Sequence, residues 1–205
     1  MSASLPSVHI FQIFYSQETR AQLDPGFIPL DNSENPRPDW REYWPIRRYL
    51  LEQRIAEGEY YGFLSPIFKS KTQLSAATVR EFLDAQGGEP DVVLFSPFFD
   101  QIAFFLNPWE QGVCVHPDAR LAFQSSLELI APGVAIDDLV CSSQESVYCN
   151  YFIAKGAFWK RWLEACERIF ECAEQAATAL GRALNASIDL CVNRDSSDLF
   201  ESVCP

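Results

Sequence analysis

Residues 147–162, Val-Tyr-Cys-Asn-Tyr-Phe-Ile-Ala-Lys-Gly-Ala-Phe-Trp-Lys-Arg-Trp, restrict the fold more than any other stretch of the chain. An apolar, β-prone run ends at Lys155-Gly156, and an aromatic-rich helical pattern starts without a linker. A strand feeding straight into an amphipathic helix is a unit of layered α/β architecture, in which helices cover the faces of a sheet. The run carries one amide, Asn150. An amide inside a buried strand costs stability unless it finds a hydrogen-bond partner, in the chain or in a ligand.

Other segments extend the pattern. Val8–Tyr15 is β-branched and aromatic on both faces, as in a covered strand. Tyr60–Leu64, Asp91–Ser96 and Ser146–Ala154 read as further strands. Helical patterning covers about 40–57 after the cap Asp39, then Ser75 to about Gln86, with Val79, Phe82 and Leu83 facing inward. It recurs over Phe98–Asn107, Pro117–Ile130 and Ala157 to about Leu184, with Pro108–His116 as a connector. Residues 24–38 hold Asp24-Pro25-Gly26, Pro29, Asn35-Pro36 and Pro38, which predicts a long loop without regular structure. The order β-α-β-α-β-α-α-β-α predicts an α/β domain with a largely parallel central sheet and helices on both faces. A single domain spans 1–187, followed by a weakly patterned tail, 188–205.

Bulk properties narrow the function classes. A chain of 205 residues buries enough surface to fold without a disulfide or metal staple. A net charge of −12 argues against nucleic acid or an anionic membrane as main partner, though a few placed cations suffice for a nucleotide. Seven Cys, with no Cys-x-x-Cys pair, and only two His argue against zinc and fit the reduced thiols of a cytoplasmic protein. The N-terminus lacks the charged and apolar regions of a signal peptide, and no apolar run approaches the ~20 residues of a membrane helix.

Four places offer chemistry, each beside a structural alternative. Lys155, at the predicted carboxyl end of the Asn150 strand, suits a phosphate, since α/β ligands sit beyond strand ends; otherwise it is solvated. Arg47 follows Trp40, Tyr43 and Trp44, so its planar fork could bind a diphosphate beside stacking rings, or pair with Glu42 or Glu52. Ser65 and Lys71 flank a proline-set turn after Tyr60–Leu64, a substrate loop or a plain strand end. Asp100 follows Asp91–Ser96, where a carboxylate could hold a divalent metal or cap a helix. No Gly-x-Gly-x-x-Gly, P-loop or nucleophile elbow is present.

Taken together, these segments resemble bacterial GT-A-type glycosyltransferases encoded with capsule and lipopolysaccharide synthesis. The resemblance rests on Trp40–Tyr49 with Tyr60–Ser65, on Asp91–Ser96, and on Cys149–Lys155 with Phe158 and Trp162. It covers roughly Val8 to Phe170. It implies a GT-A-like (nucleotide-diphospho-sugar transferase-like) fold that transfers sugar from a nucleotide sugar to a saccharide acceptor. It further implies donor contacts by Arg47, Ser65, Lys71 and Lys155, Asp100 and Asn150 as catalytic residues, and Mg or Mn held by Asp100. The Asp-x-Asp metal motif of that family is absent, with Ser96-Pro-Phe-Phe-Asp100 near its place. The alternative is a catalytically inactive scaffold on the same fold.

Overall fold

A computed structural model describes residues 6–96 and 98–185. The elements run β1 (Val8–Phe14), α1 (Gln17–Ala21), β2 (Ile28–Asp31), α2 (Tyr43–Glu52), β3 (Tyr60–Leu64), α3 (Phe68–Thr72) and α4 (Ala76–Ala85). They continue with β4 (Val92–Leu94), α5 (Phe99–Phe104), α6 (Pro108–Val115), α7 (Arg120–Ile130), β5 (Phe152–Lys155), α8 (Gly156–Gln175) and α9 (Ala179–Asn185). Short 3-10 turns precede α2, α7 and β5.

The five strands form one sheet in the order β2-β1-β3-β5-β4. β1 pairs in parallel with β2 and β3, whereas β5 pairs antiparallel with both β3 and β4. The expected largely parallel sheet is therefore corrected to a mixed one. The reason is the route of the chain. It leaves β4 and returns to β5 at the same edge of the sheet, where the Phe95 N–H donates to the Tyr151 carbonyl (2.7 Å). A strand entering from that edge must run back against its neighbours.

Side-chain alternation builds a core on each face. Ile10, Tyr60, Leu64, Val93 and Ile153 meet Phe68 of α3 and Ala76, Val79 and Leu83 of α4. Phe11, Ile13, Tyr61, Phe63, Phe152 and Ala154 meet Ile46 and Leu50 of α2 and Trp159 of α8. Helices thus cover both faces, as the residue pattern implies. Every residue of β3 is buried, which is why that strand is apolar on both sides.

Trp159 anchors the second core. It is fully buried, stacks on Phe152 at 4.8 Å and meets Phe63 edge-on at 4.9 Å. Its indole N–H donates to the Tyr61 carbonyl (2.8 Å), so its burial leaves no polar atom unpaired. The linker-free junction before it depends on Gly156. A Cβ there would lie 2.2 Å from the Ala56 carbonyl oxygen. Without one, the Gly156 N–H donates to the Glu59 carbonyl (2.9 Å) and α8 starts directly against residues 55–59.

Six local expectations change. Helix α2 begins at Tyr43, with Asp39 inside the preceding 3-10 turn rather than capping it, and Phe82 of α4 is exposed rather than turned inward. Residues 24–38 contain a strand, β2, which tolerates Pro29 because it lies at the sheet edge, where a missing N–H costs no ladder bond. The supposed connector Pro108–His116 is mostly helix α6, with Asn107 as N-cap accepting from the Glu110 N–H (2.8 Å) and Pro108 in its first turn. The last strand starts at Phe152, so residues 146–151 lie outside it. The long terminal helix breaks at Ala176, which adopts a left-handed conformation (φ 47°), and α9 folds back on α8. Gly181 permits that return, since a Cβ would meet the Cys172 carbonyl oxygen at 2.4 Å. The tail 188–205 lies outside the described residues.

Candidate functional site

The carboxyl ends of β1 and β3 share one edge of the sheet, and the segment entering β5 arrives beside them. A polar cleft of about 240 Å³ opens there, lined by Glu42, Ser65, Lys71, Tyr148, Cys149 and Asn150 among others. Its floor is a buried hydrogen bond between Ser65 Oγ and the Tyr151 phenol (2.7 Å). Burial pushes the Tyr151 phenol up to about 12, although the Ser65 bond works against it. The group is therefore a neutral hydrogen-bonding hydroxyl at physiological pH.

Gln12 holds this floor from below. Its side chain is buried in β1, and Nε2 donates to the carbonyls of Ser65 (3.1 Å) and Pro66 (3.3 Å). Its Oε1 accepts from the Asp24 N–H (2.8 Å), and the Asp24 carboxylate accepts from the N–H groups of Gly26 and Ala76. One amide thus ties the end of β3, the loop after α1 and the start of α4. Sequence reasoning did not single out Gln12. The signal applied to Asn150, an amide inside an apolar run, fits Gln12 better.

Three of the predicted site residues converge on the cleft: Ser65, Lys71 and Asn150. Asn150 is not the buried mid-strand amide of the sequence reading; it is exposed and precedes β5. Lys71 Nζ contacts Cys149 Sγ (3.9 Å) and the Phe98 ring (5.9 Å), and no carboxylate among the described residues lies within ion-pairing distance. Burial raises the Cys149 thiol, with Lys71 pulling the other way, so the sulfur is protonated and a poor nucleophile at neutral pH. The Tyr148 hydroxyl in this wall is buried and meets no partner.

The other three lie elsewhere. Arg47 spans the α2–α8 seam: Nε and Nη2 donate to the two carboxylate oxygens of Glu167 (2.6 and 2.7 Å), and its guanidinium lies over the Phe170 ring at 4.3 Å. The partner is Glu167 rather than Glu42 or Glu52. Burial works to raise the Glu167 carboxyl, but hydrogen bonds from Arg47 and Tyr43 and the Arg47 charge hold it below the usual range. Lys155 sits beside Tyr60, the first residue of β3, because β5 is reversed; this is the sheet edge opposite the cleft. There it pairs with Asp91 (3.1 Å) and donates to the Glu89 carbonyl (3.2 Å).

Asp100 is exposed in the first turn of α5, where among the described residues its carboxylate accepts only from the Gln101 amide (3.2 Å). Among the described residues no group of three or more His, Cys, Asp or Glu could hold a metal ion. A lone solvated carboxylate does not fit a built Mg or Mn site.

Two further hollows flank the cleft. Tyr15, Asn35, Pro38, Arg41 and Glu42 line one of about 260 Å³, so Glu42 stands between it and the cleft. Asn35 (φ 34°) and Arg41 (φ 47°) both hold a positive φ, which non-glycine residues avoid. Across Lys71 lies a cavity of about 540 Å³ lined largely by Leu74, Phe82, Leu94, Phe95 and Phe99. Glu42, Tyr15 and Arg41 were not legible as site residues, because their meeting depends on where β1 ends and α2 begins.

No described helix is long and apolar enough to cross a membrane. Comparison with protein families, with curated proteins and with solved structures gives no match to this chain.

Proposed function

We propose that the chain is a GT-A-like, glycosyltransferase-like protein that binds a nucleotide sugar in the polar cleft and transfers the sugar to a saccharide acceptor in surface-polysaccharide synthesis. One observation carries the reading. Ser65, Lys71 and Asn150 come from three separate segments and meet beyond the carboxyl ends of β1 and β3, where α/β sheets hold ligands. An ammonium with no carboxylate partner among the described residues, a buried Ser–Tyr hydroxyl pair and a solvated amide suit a diphosphate and sugar hydroxyls. The adjoining Tyr15–Arg41 hollow has a ring and a guanidinium for the nucleoside.

Transfer forms a bond from an acceptor hydroxyl oxygen to the anomeric carbon as the bond from that carbon to the diphosphate oxygen breaks; the hydroxyl proton passes to solvent, and charge accumulates on the departing nucleoside diphosphate. Fixed cations offset such charge. Lys71 and Arg41 are the cations lining these hollows; Arg47 and Lys155 are held by Glu167 and Asp91. That scarcity of cations favours a second reading, a catalytically inactive protein that uses the same cleft to hold a partner in polysaccharide assembly.

Calorimetric titration with UDP- and GDP-sugars, with and without manganese, separates the two. Binding that weakens about tenfold or more in Lys71→Ala supports the first reading. Failure of every nucleotide at millimolar concentration rejects it and leaves the second.

A further inference from the structure

We infer that the cavity on the far side of Lys71 binds a small hydroxylated aromatic carboxylate, with its ring against a phenylalanine wall, its carboxylate on the Lys71 ammonium and its hydroxyl on Ser96 Oγ. The cavity encloses about 540 Å³, within the range of small-molecule sites. Phe82, Phe95 and Phe99 line it, with Leu74 and Leu94. Phe82 meets Phe95 edge-on at 5.9 Å, and Phe82 and Phe99 are 48% and 68% exposed. Phenylalanine rings left wet suit a further ring, which gains edge-to-face or offset contacts that an alkyl chain lacks. A rigid ring also gives up less conformational freedom on binding than a flexible chain does.

The polar atoms of the lining set how many polar groups such a ligand carries. Thr72 Oγ1 already donates to the Phe68 carbonyl (2.9 Å) and accepts from the Leu74 N–H (3.1 Å). Thr78 Oγ1 is bonded to Ser75 Oγ (2.9 Å). Ser96 Oγ is buried and has no partner among the described residues. A buried hydroxyl without a bond carries a desolvation cost, and a ligand group that bonds it offsets that cost. A phenol both donates and accepts, and a serine hydroxyl reorients about one torsion, so the two can meet in either sense. A wholly apolar occupant would leave Ser96 unpaired, and a sugar-like one would bring more hydroxyls than this wall can bond.

The other polar end is anionic. Lys71 lines both this cavity and the polar cleft, and its ammonium pairs with no carboxylate among the described residues. Its Nζ stands 5.9 Å from the centre of the Phe98 ring, so the cation borders aromatic surface. In a chain of net charge −12, a cation in that setting is complementary to an anion. A carboxylate there gains a charge-assisted hydrogen bond. One carboxylate, one neutral hydroxyl and an aromatic body define the ligand class. This binding goes beyond the nucleotide-sugar reading and does not rest on it.

The test uses the full chain without nucleotide. Para-hydroxyphenylacetate is titrated calorimetrically against the wild type, beside phenylacetate, which lacks the hydroxyl, and tyrosol, which carries an alcohol in place of the carboxylate. Cyclohexylacetate, set against phenylacetate, removes the aromatic ring. Para-hydroxyphenylacetate is expected to bind about fivefold more tightly than phenylacetate and about tenfold more tightly than tyrosol. Phenylacetate should exceed cyclohexylacetate about threefold. Ser96→Ala should bring the two aromatic acids to equal affinity, and Lys71→Gln should lower para-hydroxyphenylacetate to the affinity of tyrosol. Should Ser96→Ala fail to fold, the four ligands on the wild type still decide, and Phe99→Asp, at an exposed position, places a repelling carboxylate in the wall and should weaken the acid about tenfold. No binding by the wild type at millimolar concentration overturns the inference. So does tyrosol matching its acid, cyclohexylacetate matching phenylacetate, or a hydroxyl preference that survives in folded Ser96→Ala. Because nucleotide is absent, these outcomes are read independently of the nucleotide-sugar titrations.

Discussion

Replacing Gly156 by alanine tests how β5 is joined to α8. The added Cβ would lie 2.2 Å from the Ala56 carbonyl oxygen and 2.6 Å from Ile55 Cγ2. An ordinary carbon–oxygen contact needs about 1 Å more, and the obstacle is backbone rather than a side chain that can swing aside. The Ala56 carbonyl also accepts from the Glu59 N–H (3.3 Å), while the Glu59 carbonyl accepts from Gly156 itself (2.9 Å). Relieving the clash therefore disturbs two hydrogen bonds. Overpacking costs about 1–3 kcal/mol and each weakened bond about 1 kcal/mol. The better helix propensity of alanine returns at most about 1 kcal/mol. The net loss is about 2–4 kcal/mol, and with a urea slope of about 2 kcal/mol/M the unfolding midpoint falls by about 1–2 M. Gly58→Ala is the control, because a Cβ there meets nothing within 4 Å; its stability should stay within about 0.5 kcal/mol of wild type. If the two variants unfold at the same urea concentration, the close approach of α8 to residues 55–59 is wrong.

Arg47→Ala should act on stability rather than on ligand binding. It removes a bidentate ion pair and the stacking on Phe170, a loss of about 1–3 kcal/mol in chemical denaturation, with nucleotide affinity unchanged. An unaltered midpoint with weakened nucleotide binding would return Arg47 to the ligand site. The same pair predicts a pH dependence. The Glu167 carboxyl is depressed in the folded chain, so its contribution is complete above the unfolded value of about 4.3 and is lost as pH falls through the folded value. The stability gap between wild type and Glu167→Gln should hold from pH 7 to 5 and close on further acidification. A gap that persists unchanged at pH 3 would contradict it.

The layered α/β class, strands at Val8, Tyr60 and Asp91, and the Ser75 cap were legible because alternation, β-branching and capping are local signals. Strand β2 was hidden because Pro29 forbids a central strand but not an edge one, and edge position belongs to the whole sheet. The break at Ala176 carries no glycine or proline, so nothing local announces a left-handed residue there.

For the site, Ser65 and Lys71 were marked as polar groups after a strand end, which face the loop edge of a sheet, whereas Asn150 was marked as a mid-strand amide and reaches the cleft because it precedes β5. The direction of β5 decided the rest. That reversal carries Lys155 to the opposite edge and brings Asn150, Cys149 and Tyr151 beside Ser65. A strand's hydrophobic pattern reads the same in either direction, so the direction is set only when the chain's return route and its partners are fixed together.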